Sequence, residues 1–159
     1  MRPTANNDHE RGLLNTIDRH GWQITYVSSD EKGGSFAYSI GIYERTGKPE
    51  IIVFSLGAEL CHGLINDYGH RCAEGEVFEK GRHYEGFLDE ALFAFLNVTD
   101  ASVRGKYTLS ASWYYQTKDY PLLQGVWPDK TTGAFPWEPG YRPEMVEYQP
   151  LLAPSPSVQ

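Results

Sequence analysis

Residues 36–56, FAYSIGIYERTGKPEIIVFSL, contain two apolar stretches separated by a short polar turn. In Phe36–Tyr43 large and small residues alternate, which is the period of a β-strand with one bulky face and one bare face. Glu50–Leu56 is apolar without alternation, which is typical of a central strand covered on both faces. Because the connection between them is short, the two strands are predicted to pair as an antiparallel hairpin.

The same reasoning predicts the other elements of the chain. Helices are predicted over 8–20 and 57–73, and strands over 22–27, 77–84, 91–98 and 122–127. The region 102–116 fits either element, since Leu109, Ala111 and Trp113 alternate as in a strand, and we favour a helix. The polar run 28–34, which ends in two glycines, is a predicted turn. This order indicates an α+β domain, with two or three helices flanking a mainly antiparallel sheet. We expect a single domain at 8–142, a loose arm at 1–7 and a Pro-rich extended tail at 143–159.

Composition and charge restrict the classes of function. The chain has 159 residues, which suits one domain with a hydrophobic core, and a formal net charge of −7. A negative chain with scattered basic residues is a poor match for nucleic acid, which clustered Lys and Arg side chains bind. No run approaches the roughly 18 apolar residues of a membrane span, and the first residues lack the apolar segment of a signal peptide. We therefore expect a cytoplasmic protein without a nucleic-acid or membrane partner.

The spacing of cysteine and histidine gives little support to a disulfide or a metal site. Cys61 and Cys72 lie on one predicted helix, about 16 Å apart along its axis, whereas a disulfide requires Cα atoms within about 7 Å. His62 and His70 are two turns apart on that helix, and helical zinc ligands usually stand on adjacent turns. We expect reduced, buried thiols, solvent-facing histidines and no metal. The sequence contains no nucleophile signature, so whether the protein is an enzyme stays open.

The stretch 120–141, YPLLQGVWPDKTTGAFPWEPGY, is the most distinctive part of the sequence. It places five aromatic residues, four prolines and three glycines around Gln124, Asp129 and Glu138. Such a stiff aromatic segment holds one shape and is typical of a recognition surface or a core seam. Asp129 and Glu138 could act as an acid–base pair if they faced one cavity. The favoured interpretation is simpler: Asp129 accepts backbone N–H groups in a turn, and Glu138 faces solvent.

Several segments in order carry a family resemblance: the 36–56 stretch, LINDYGHR on the helix, GEVFEKGRHYEG, and the end of the distinctive stretch from LLQGVW onwards. Together they resemble the bacterial domain of unknown function 4262 family over about residues 13–141. The family pattern falls here on Tyr38, Ser39, Gly41, Pro49, Glu50, Asn66, Gln124, Pro128, Asp129, Pro136 and Trp137. Members commonly have Thr at the position of Ser39, a change that keeps the hydroxyl. The family has no established activity, so the resemblance implies that these residues matter without implying a reaction.

A second, looser likeness concerns the strand at 36–43. A bare-faced strand followed by an apolar strand that begins after a proline is similar in pattern to the flavin-binding split barrels. Those barrels often hold the flavin phosphate with hydroxyls and amides on a strand edge. The likeness implies FMN as a cofactor, with Ser39 and Gln124 near cofactor or substrate, and it remains an analogy because a fold does not determine a function.

These observations lead to one main functional prediction. The protein is predicted to recognise a small-molecule ligand or a protein partner, through the 120–141 loop together with the small-residue face of the 36–43 strand. The candidate ligand-binding residues are Tyr38, Ser39, Glu50, Gln124, Asp129 and Trp137. Two alternatives stay open: a flavin-binding, split-barrel-like oxidoreductase, and a regulatory or inhibitory module of a mobile genetic element.

Overall fold

The computed structural model describes residues 2–31 and 34–156. In chain order the elements are α1 (Asp8–His20), β1 (Gln23–Val27), β2 (Phe36–Ile40), α2 (Ile42–Thr46), β3 (Glu50–Phe54), α3 (Ala58–Ala73), β4 (Tyr84–Leu88), β5 (Ala91–Asn97), α4 (Ala101–Lys106), α5 (Leu109–Tyr115) and β6 (Leu122–Val126). A 3₁₀ helix, Pro143–Tyr148, follows β6. The first residue of the predicted arm, two residues of the predicted 28–34 turn and the last three of the predicted tail lie outside the described residues.

The strands form one six-stranded sheet in the order β1-β2-β3-β6-β5-β4. Four of the five neighbouring pairs are antiparallel, and only β3 and β6, at the centre of the sheet, run parallel. This confirms the predicted α+β domain with a mainly antiparallel sheet. The sheet is open, with β1 and β4 at its edges, so the split-barrel likeness does not extend to a closed barrel.

The predicted hairpin is confirmed in its pairing and corrected in its connection. β2 and β3 pair antiparallel, with Tyr38 opposite Ile52. The predicted strand at 36–43 ends at Ile40, however, and the chain turns into the short helix α2. Gly41 permits the turn, because its φ is 112° and a Cβ there would lie 2.9 Å from the carbonyl oxygen of Gly21. The alternating pattern of the sequence therefore continues past the point where the strand ends.

Helices cover both faces of the sheet. Two clusters of buried side chains, one on each face, include Cys61, Leu64, Ile65, Tyr68, Ile51 and Val53 around α3, and Leu13, Ile17, Ile40, Ile52 and Ala111 around α1 and α5. β3 is buried at all of its positions because its alternate residues enter the two clusters, as the continuous apolar run predicts. Fully burying one such side chain contributes about 1.5–3 kcal/mol.

The other sequence-based assignments divide into those that hold and one that is wrong. The region 102–116 is helical, as predicted, and forms α4 and α5. The strand predicted at 77–84 is wrong, because β4 begins only at Tyr84. In the preceding segment Phe78 is buried and lies against Tyr68 and Phe95. This apolar residue therefore packs in the core although its segment is not a strand.

The region after Arg142, which we call the C-terminal segment (residues 143–156), differs from the extended tail that its composition predicts. Pro143–Tyr148 forms a 3₁₀ helix with proline in its first turn, where a missing N–H costs little. Beyond it, the backbone of Pro150 and Leu152 hydrogen-bonds to Gln124 of β6. The segment therefore packs on the sheet, through contacts that composition alone does not indicate.

Candidate functional site

Glu50 is the centre of a buried polar cluster at the start of β3. Its residue is 1% exposed, and its Oε1 accepts a hydrogen bond from the Ser39 hydroxyl at 2.6 Å. Its Oε2 accepts from the backbone N–H of Gly41 at 2.9 Å and of Tyr43 at 3.2 Å, and the Tyr115 hydroxyl also donates to it. The carboxylate thus takes up N–H groups at the start of α2 and joins that helix to β2 and α5.

Burial raises the pKa of Glu50, and the hydrogen bonds from Ser39 and Tyr115 act in the opposite direction. Burial also raises the pKa of Tyr115, and the nearby Glu50 carboxylate raises it further. Among the described residues every buried side-chain nitrogen or oxygen has a hydrogen-bond partner. The Glu50 cluster is therefore a satisfied internal network rather than an open site.

Tyr38 and Gln124 are also buried and internally bonded. Tyr38 is 2% exposed, and its hydroxyl accepts a hydrogen bond from the Ser110 N–H at 3.1 Å, which ties β2 to α5. Gln124 is fully buried. Its Nε2 donates to the Pro150 carbonyl at 2.8 Å, and its Oε1 accepts from the Leu152 N–H at 2.8 Å. Both side chains connect parts of the chain to one another.

Asp129 closes the loop after β6 by bonding Arg142, the residue just before the C-terminal segment. Its side chain is fully buried, and its Oδ2 lies 2.8 Å from Nε of Arg142. Its oxygens also accept from the backbone N–H of Thr131 at 2.8 Å and of Arg142 at 3.0 Å. The hydrogen bond from the Arg142 guanidinium holds the pKa of Asp129 well below its usual range. The turn interpretation of Asp129 agrees with these bonds, and Arg142 is a partner that the sequence did not indicate.

Trp137 and Glu138 complete this loop. The Trp137 ring stacks on Phe135 with centroids 5.4 Å apart and an angle of 10° between the planes. The Glu138 side chain is 36% exposed, so it reaches solvent as expected, and its Oε1 also accepts from the Phe135 N–H at 2.8 Å. Because Asp129 and Glu138 each bond within the loop, nothing in their geometry joins them as an acid–base pair.

The structure brings together two of the six predicted binding residues, Ser39 and Glu50, by a direct hydrogen bond. Tyr38 faces the other side of β2, because neighbouring residues of a strand point to opposite faces. Gln124, Asp129 and Trp137 follow one another along β6 and its loop, each with different partners. Of the six, only Asp129 lines the cleft that lies beside the loop after β6, so the six residues do not converge on that cavity.

This cleft has a volume of about 940 Å³ and lies at the carboxyl ends of the parallel strands β3 and β6. Three separate segments line it: Leu56 and Leu60 at the start of α3, residues 85–86 and 88–92 of the β4–β5 hairpin, and residues 127–130 with Gly133 after β6. Trp127 lies across the strand ends, and its Nε1 donates to the Phe54 carbonyl at 2.8 Å.

Apolar side chains form most of the cleft wall. Leu56, Leu60, Leu88, Leu92 and Trp127 contribute to it, and Leu60 and Leu92 are 46% and 39% exposed. A second depression of about 620 Å³ continues from it along α3 and shares Leu56 and Leu60 with it. The exposed leucines therefore share one concave surface and are not scattered singly.

Acidic side chains form the rim. Glu85, Asp89 and Glu90 line the cleft and are exposed, and Lys130 adds one positive charge. These residues escaped the sequence analysis because nothing in the sequence places the hairpin beside α3. One signal was available: the acidic pair Asp89–Glu90 stands between two apolar stretches, in GFLDEALF, where it forms the turn of a hairpin.

The cysteines and histidines stand where their spacing predicts. Cys61 and Cys72 are free and buried, and burial raises the pKa of each thiol to about 11. His62 and His70 are exposed. Over residues 2–31 and 34–156, no group of three or more His, Cys, Asp or Glu side chains is arranged to hold a metal ion. Over the same ranges, the helices are too short or too polar to span a lipid bilayer.

Comparison with known proteins identifies a family. The profile of the family described as "Domain of unknown function (DUF4262)" matches residues 16–142. No curated protein and no solved structure matches the chain. The matched range includes both buried carboxylates and all three segments that line the cleft.

Proposed function

We propose a binding function for this chain, which belongs to the DUF4262 family of domains of unknown function. The domain binds a small molecule with an apolar body and a positively charged group. The cleft at the carboxyl ends of β3 and β6 is the site. The observation that carries the proposal is the combination of exposed leucines in its wall with exposed carboxylates on its rim.

Size and lining support a small ligand. Pockets for small molecules usually have volumes of roughly 300–1,000 Å³ and are lined mainly by apolar and aromatic side chains with a few polar groups. The cleft, at about 940 Å³, combines leucines and Trp127 with a short acidic rim. Burial of apolar ligand surface would supply most of the affinity, at about 25 cal/mol per Å².

The position of the cleft in the fold is a second support. In sheets that contain parallel strands, ligands commonly bind outside the carboxyl ends of those strands, where the following loops diverge. β3 and β6 are the parallel pair here, and the cleft is lined by the residues that follow each of them, Leu56 and Trp127. The family motif residues would then serve to hold this frame in place.

The rim supports a positive group on the ligand. Glu85, Asp89 and Glu90 are exposed, so each would contribute modestly, about 0.2–1 kcal/mol per ion pair. The charge therefore acts on selectivity more than on affinity, and we expect a cationic ligand to be preferred over its anionic counterpart by about three- to tenfold. The same rim disfavours FMN, whose phosphate carries negative charge.

The test compares two ligands of the same length, octylammonium and octanoate, by isothermal titration calorimetry below their micelle concentrations. We expect octylammonium to bind more tightly and its advantage to shrink as salt is raised, because exposed charges are screened beyond about 8 Å at physiological ionic strength. Equal binding of the two, or binding of neither, would contradict the proposal.

Variants locate the binding. Leu60→Arg removes an apolar wall residue and adds a charge that repels the ammonium group, so we expect at least about tenfold weaker binding of octylammonium. Leu109→Arg is the matched control, because Leu109 is 60% exposed on α5, away from the residues that line the cleft. Equal effects of the two substitutions would place the binding elsewhere.

A charge-neutral pair separates the rim from the wall. Glu85→Gln with Asp89→Asn is expected to weaken octylammonium by about threefold while octanoate binding stays the same or improves. Glu74→Gln with Glu79→Gln removes the same charge outside the cleft and serves as the control. An equal loss for both ligands would show that the rim acts through the fold and not through its charge.

A further inference from the structure

The part of the sheet around β6 is covered by the C-terminal segment and the loop after β6, where other parts carry helices. On this face Val126, Phe135 and Ala94 form a small buried cluster, against which Trp137 and Ala153 pack. Gln124 lies in the same strand with its side chain on the same face as Val126, because residues two apart in a strand share a face. We call the surface formed by the Gln124 side chain, the Trp127 backbone and the adjoining Val126, Phe135 and Trp137 the β6 groove.

Gln124 binds the C-terminal segment through backbone atoms only. Its amide donates to the Pro150 carbonyl and accepts from the Leu152 N–H, both at 2.8 Å. A carbonyl and an N–H two residues apart are the pair that one edge of an extended strand presents. The Gln124 side chain thus makes the two hydrogen bonds that the backbone of a neighbouring strand would make.

Gln149, in the C-terminal segment, binds the backbone at the end of β6 in the same way. Its Oε1 accepts from the Trp127 N–H at 2.9 Å, and its Nε2 donates to the Trp127 carbonyl at 3.0 Å. Gln149 is 2% exposed. The first side chain of the Gln149–Leu152 run therefore also recognises an extended backbone, at the end of β6.

The apolar contribution of this run is small. Leu151 is 36% exposed, and Leu152 is only partly buried at the edge of the α1 cluster. Pro150 has no N–H to satisfy and fixes its own φ, which lowers the entropy cost of holding an extended run. Two amide clamps and a proline therefore fix the run, with little dependence on large side chains.

We propose that the β6 groove is a docking site for an extended peptide segment of the pattern Gln-Pro-x-Leu in a partner protein, and that residues 149–152 fill it in cis. The partner segment supplies a glutamine for the Trp127 backbone and a carbonyl and N–H for Gln124. The groove adjoins the cleft of the proposed function, because Trp127 binds Gln149 through its backbone and also lines the cleft. The docking proposal does not rest on the proposed function.

The docking of residues 149–152 within the same chain gives an upper limit for the Kd of the same segment supplied as a separate molecule. A tethered segment has an effective concentration of about 1 mM, so docking in more than about nine molecules of ten requires a Kd near 0.1 mM or tighter for the same segment supplied in trans. A partner in trans therefore binds measurably once the cis segment has been displaced.

The experiment displaces the cis run and supplies it again as a peptide. In the full chain, Gln149→Ala with Leu152→Asp removes the reciprocal clamp and the partly buried leucine while leaving the groove unchanged. A fluorescein-labelled peptide of residues 147–156 is then titrated by fluorescence polarisation. We expect a Kd of about 0.1 mM or tighter for this variant, and at least tenfold weaker binding to the unaltered chain.

Two controls make the result specific. Gln124→Leu, added to the displaced variant, keeps the size of the side chain and removes both hydrogen bonds, and it is expected to lose at least tenfold in peptide affinity. A peptide with the same Gln149→Ala and Leu152→Asp changes is expected not to bind. The proposal is overturned if the folded variant, checked by circular dichroism, does not bind the peptide or binds it equally well after Gln124→Leu.

Amide hydrogen exchange on the unaltered chain gives a test that needs no variant. If the run is a docked segment, the Leu152 N–H exchanges through a local opening, at least about 100-fold faster than the slowest amides of β3. If Leu152 exchanges only as slowly as β3, the run opens with the whole fold. It is then an integral part of the sheet, and the docking proposal fails.

Discussion

Glu50 and Asp129 are both carboxylates that are 1% exposed, and each accepts three backbone N–H groups. They differ in their remaining partners. Asp129 has the Arg142 guanidinium at 2.8 Å, whereas Glu50 has the hydroxyls of Ser39 and Tyr115. Accordingly, the pKa of Asp129 is lowered by its arginine, and that of Glu50 is raised by burial.

The difference shows two ways to place a carboxylate inside a protein. Asp129 keeps its charge because a cation lies beside it, and the pair joins the two ends of the loop between β6 and the C-terminal segment. None of the groups that bond to Glu50 is a cation. The cost of burying its carboxyl group is therefore offset only by the hydrogen bonds that its two oxygens accept. Both are part of the frame, in contrast to the exposed carboxylates Glu85, Asp89 and Glu90 at the cleft.

The largest expected effect is that of Glu50→Ala. It leaves several buried N–H and hydroxyl donors without an acceptor, and each such group costs about 1–3 kcal/mol. We expect the free energy of unfolding to fall by at least about 3 kcal/mol and Tm to fall by roughly 6–12 °C, measured by circular dichroism. Glu50→Gln, which keeps one acceptor oxygen, is expected to lose less. A fall of under about 1 kcal/mol for Glu50→Ala would show that water fills the site.

Asp129→Ala is expected to lower Tm by less than Glu50→Ala does. The substitution frees the turn N–H of Thr131 and releases Arg142, but the Arg142 side chain is already 36% exposed and can be solvated. Thermal melting compares the Tm values of the two variants. Limited proteolysis locates the destabilised region, since the loop after β6 is expected to be cleaved faster in Asp129→Ala. Asp129→Asn keeps an acceptor for the turn and is the control. The reverse ranking would mean that the ion pair matters more than the hydroxyl network.

The pH dependence of stability separates the two carboxylates by sign. Because the pKa of Glu50 is raised in the folded state, the folded protein retains that proton longer, and the free energy of unfolding falls as pH rises above the ordinary value of 4.5. Because the pKa of Asp129 is lowered, its contribution is present above the ordinary value of 3.8 and is lost as pH falls below it.

Denaturant unfolding between about pH 3 and pH 8 measures both effects. In Glu50→Gln the decline above pH 4.5 is expected to disappear, and in Asp129→Asn the acid loss below pH 3.8 is expected to shrink. Slopes of the same sign for the two sites would end the distinction between them.

The smallest expected effect is that of Trp137→Ala. Trp137 is partly exposed and stacks on Phe135, and such pairs contribute about 0.5–1.5 kcal/mol beyond their buried area. We expect a fall in Tm of a few degrees, with Trp137→Phe close to the unaltered chain and octylammonium binding unchanged in both. Loss of ligand binding with little change in Tm would return Trp137 to the binding site that the sequence predicts.

Local patterns in the sequence predict most of the fold. The alternation at 36–40, the apolar run of β3 and the stripe of α3 depend on neighbouring residues, so their elements follow from the sequence. The extra helix α2 does not, because its first turn depends on Glu50, which lies beyond the end of that helix. The parallel pairing of β3 with β6 is equally non-local.

The candidate site is harder to predict than the fold. Glu50, Gln124 and Asp129 are conspicuous as polar residues in apolar surroundings, and the same surroundings make them internal connectors. The cleft, in contrast, is assembled from Leu60, the β4–β5 hairpin and the loop after β6, which only the folded chain brings together. Each contributes ordinary residues, so no single segment carries a recognisable signal.

The parallel pairing of β3 with β6 also affects how the chain is made. β6 follows β3 by about 70 residues, and at a synthesis rate of roughly 5–20 residues per second β3 waits several seconds for its neighbour. During that interval one edge of β3 (EIIVF) is unpaired, and all of its residues after Glu50 are apolar. We therefore expect the nascent domain to be prone to aggregate through this edge, and a chaperone that binds short apolar strands to act on this stretch first.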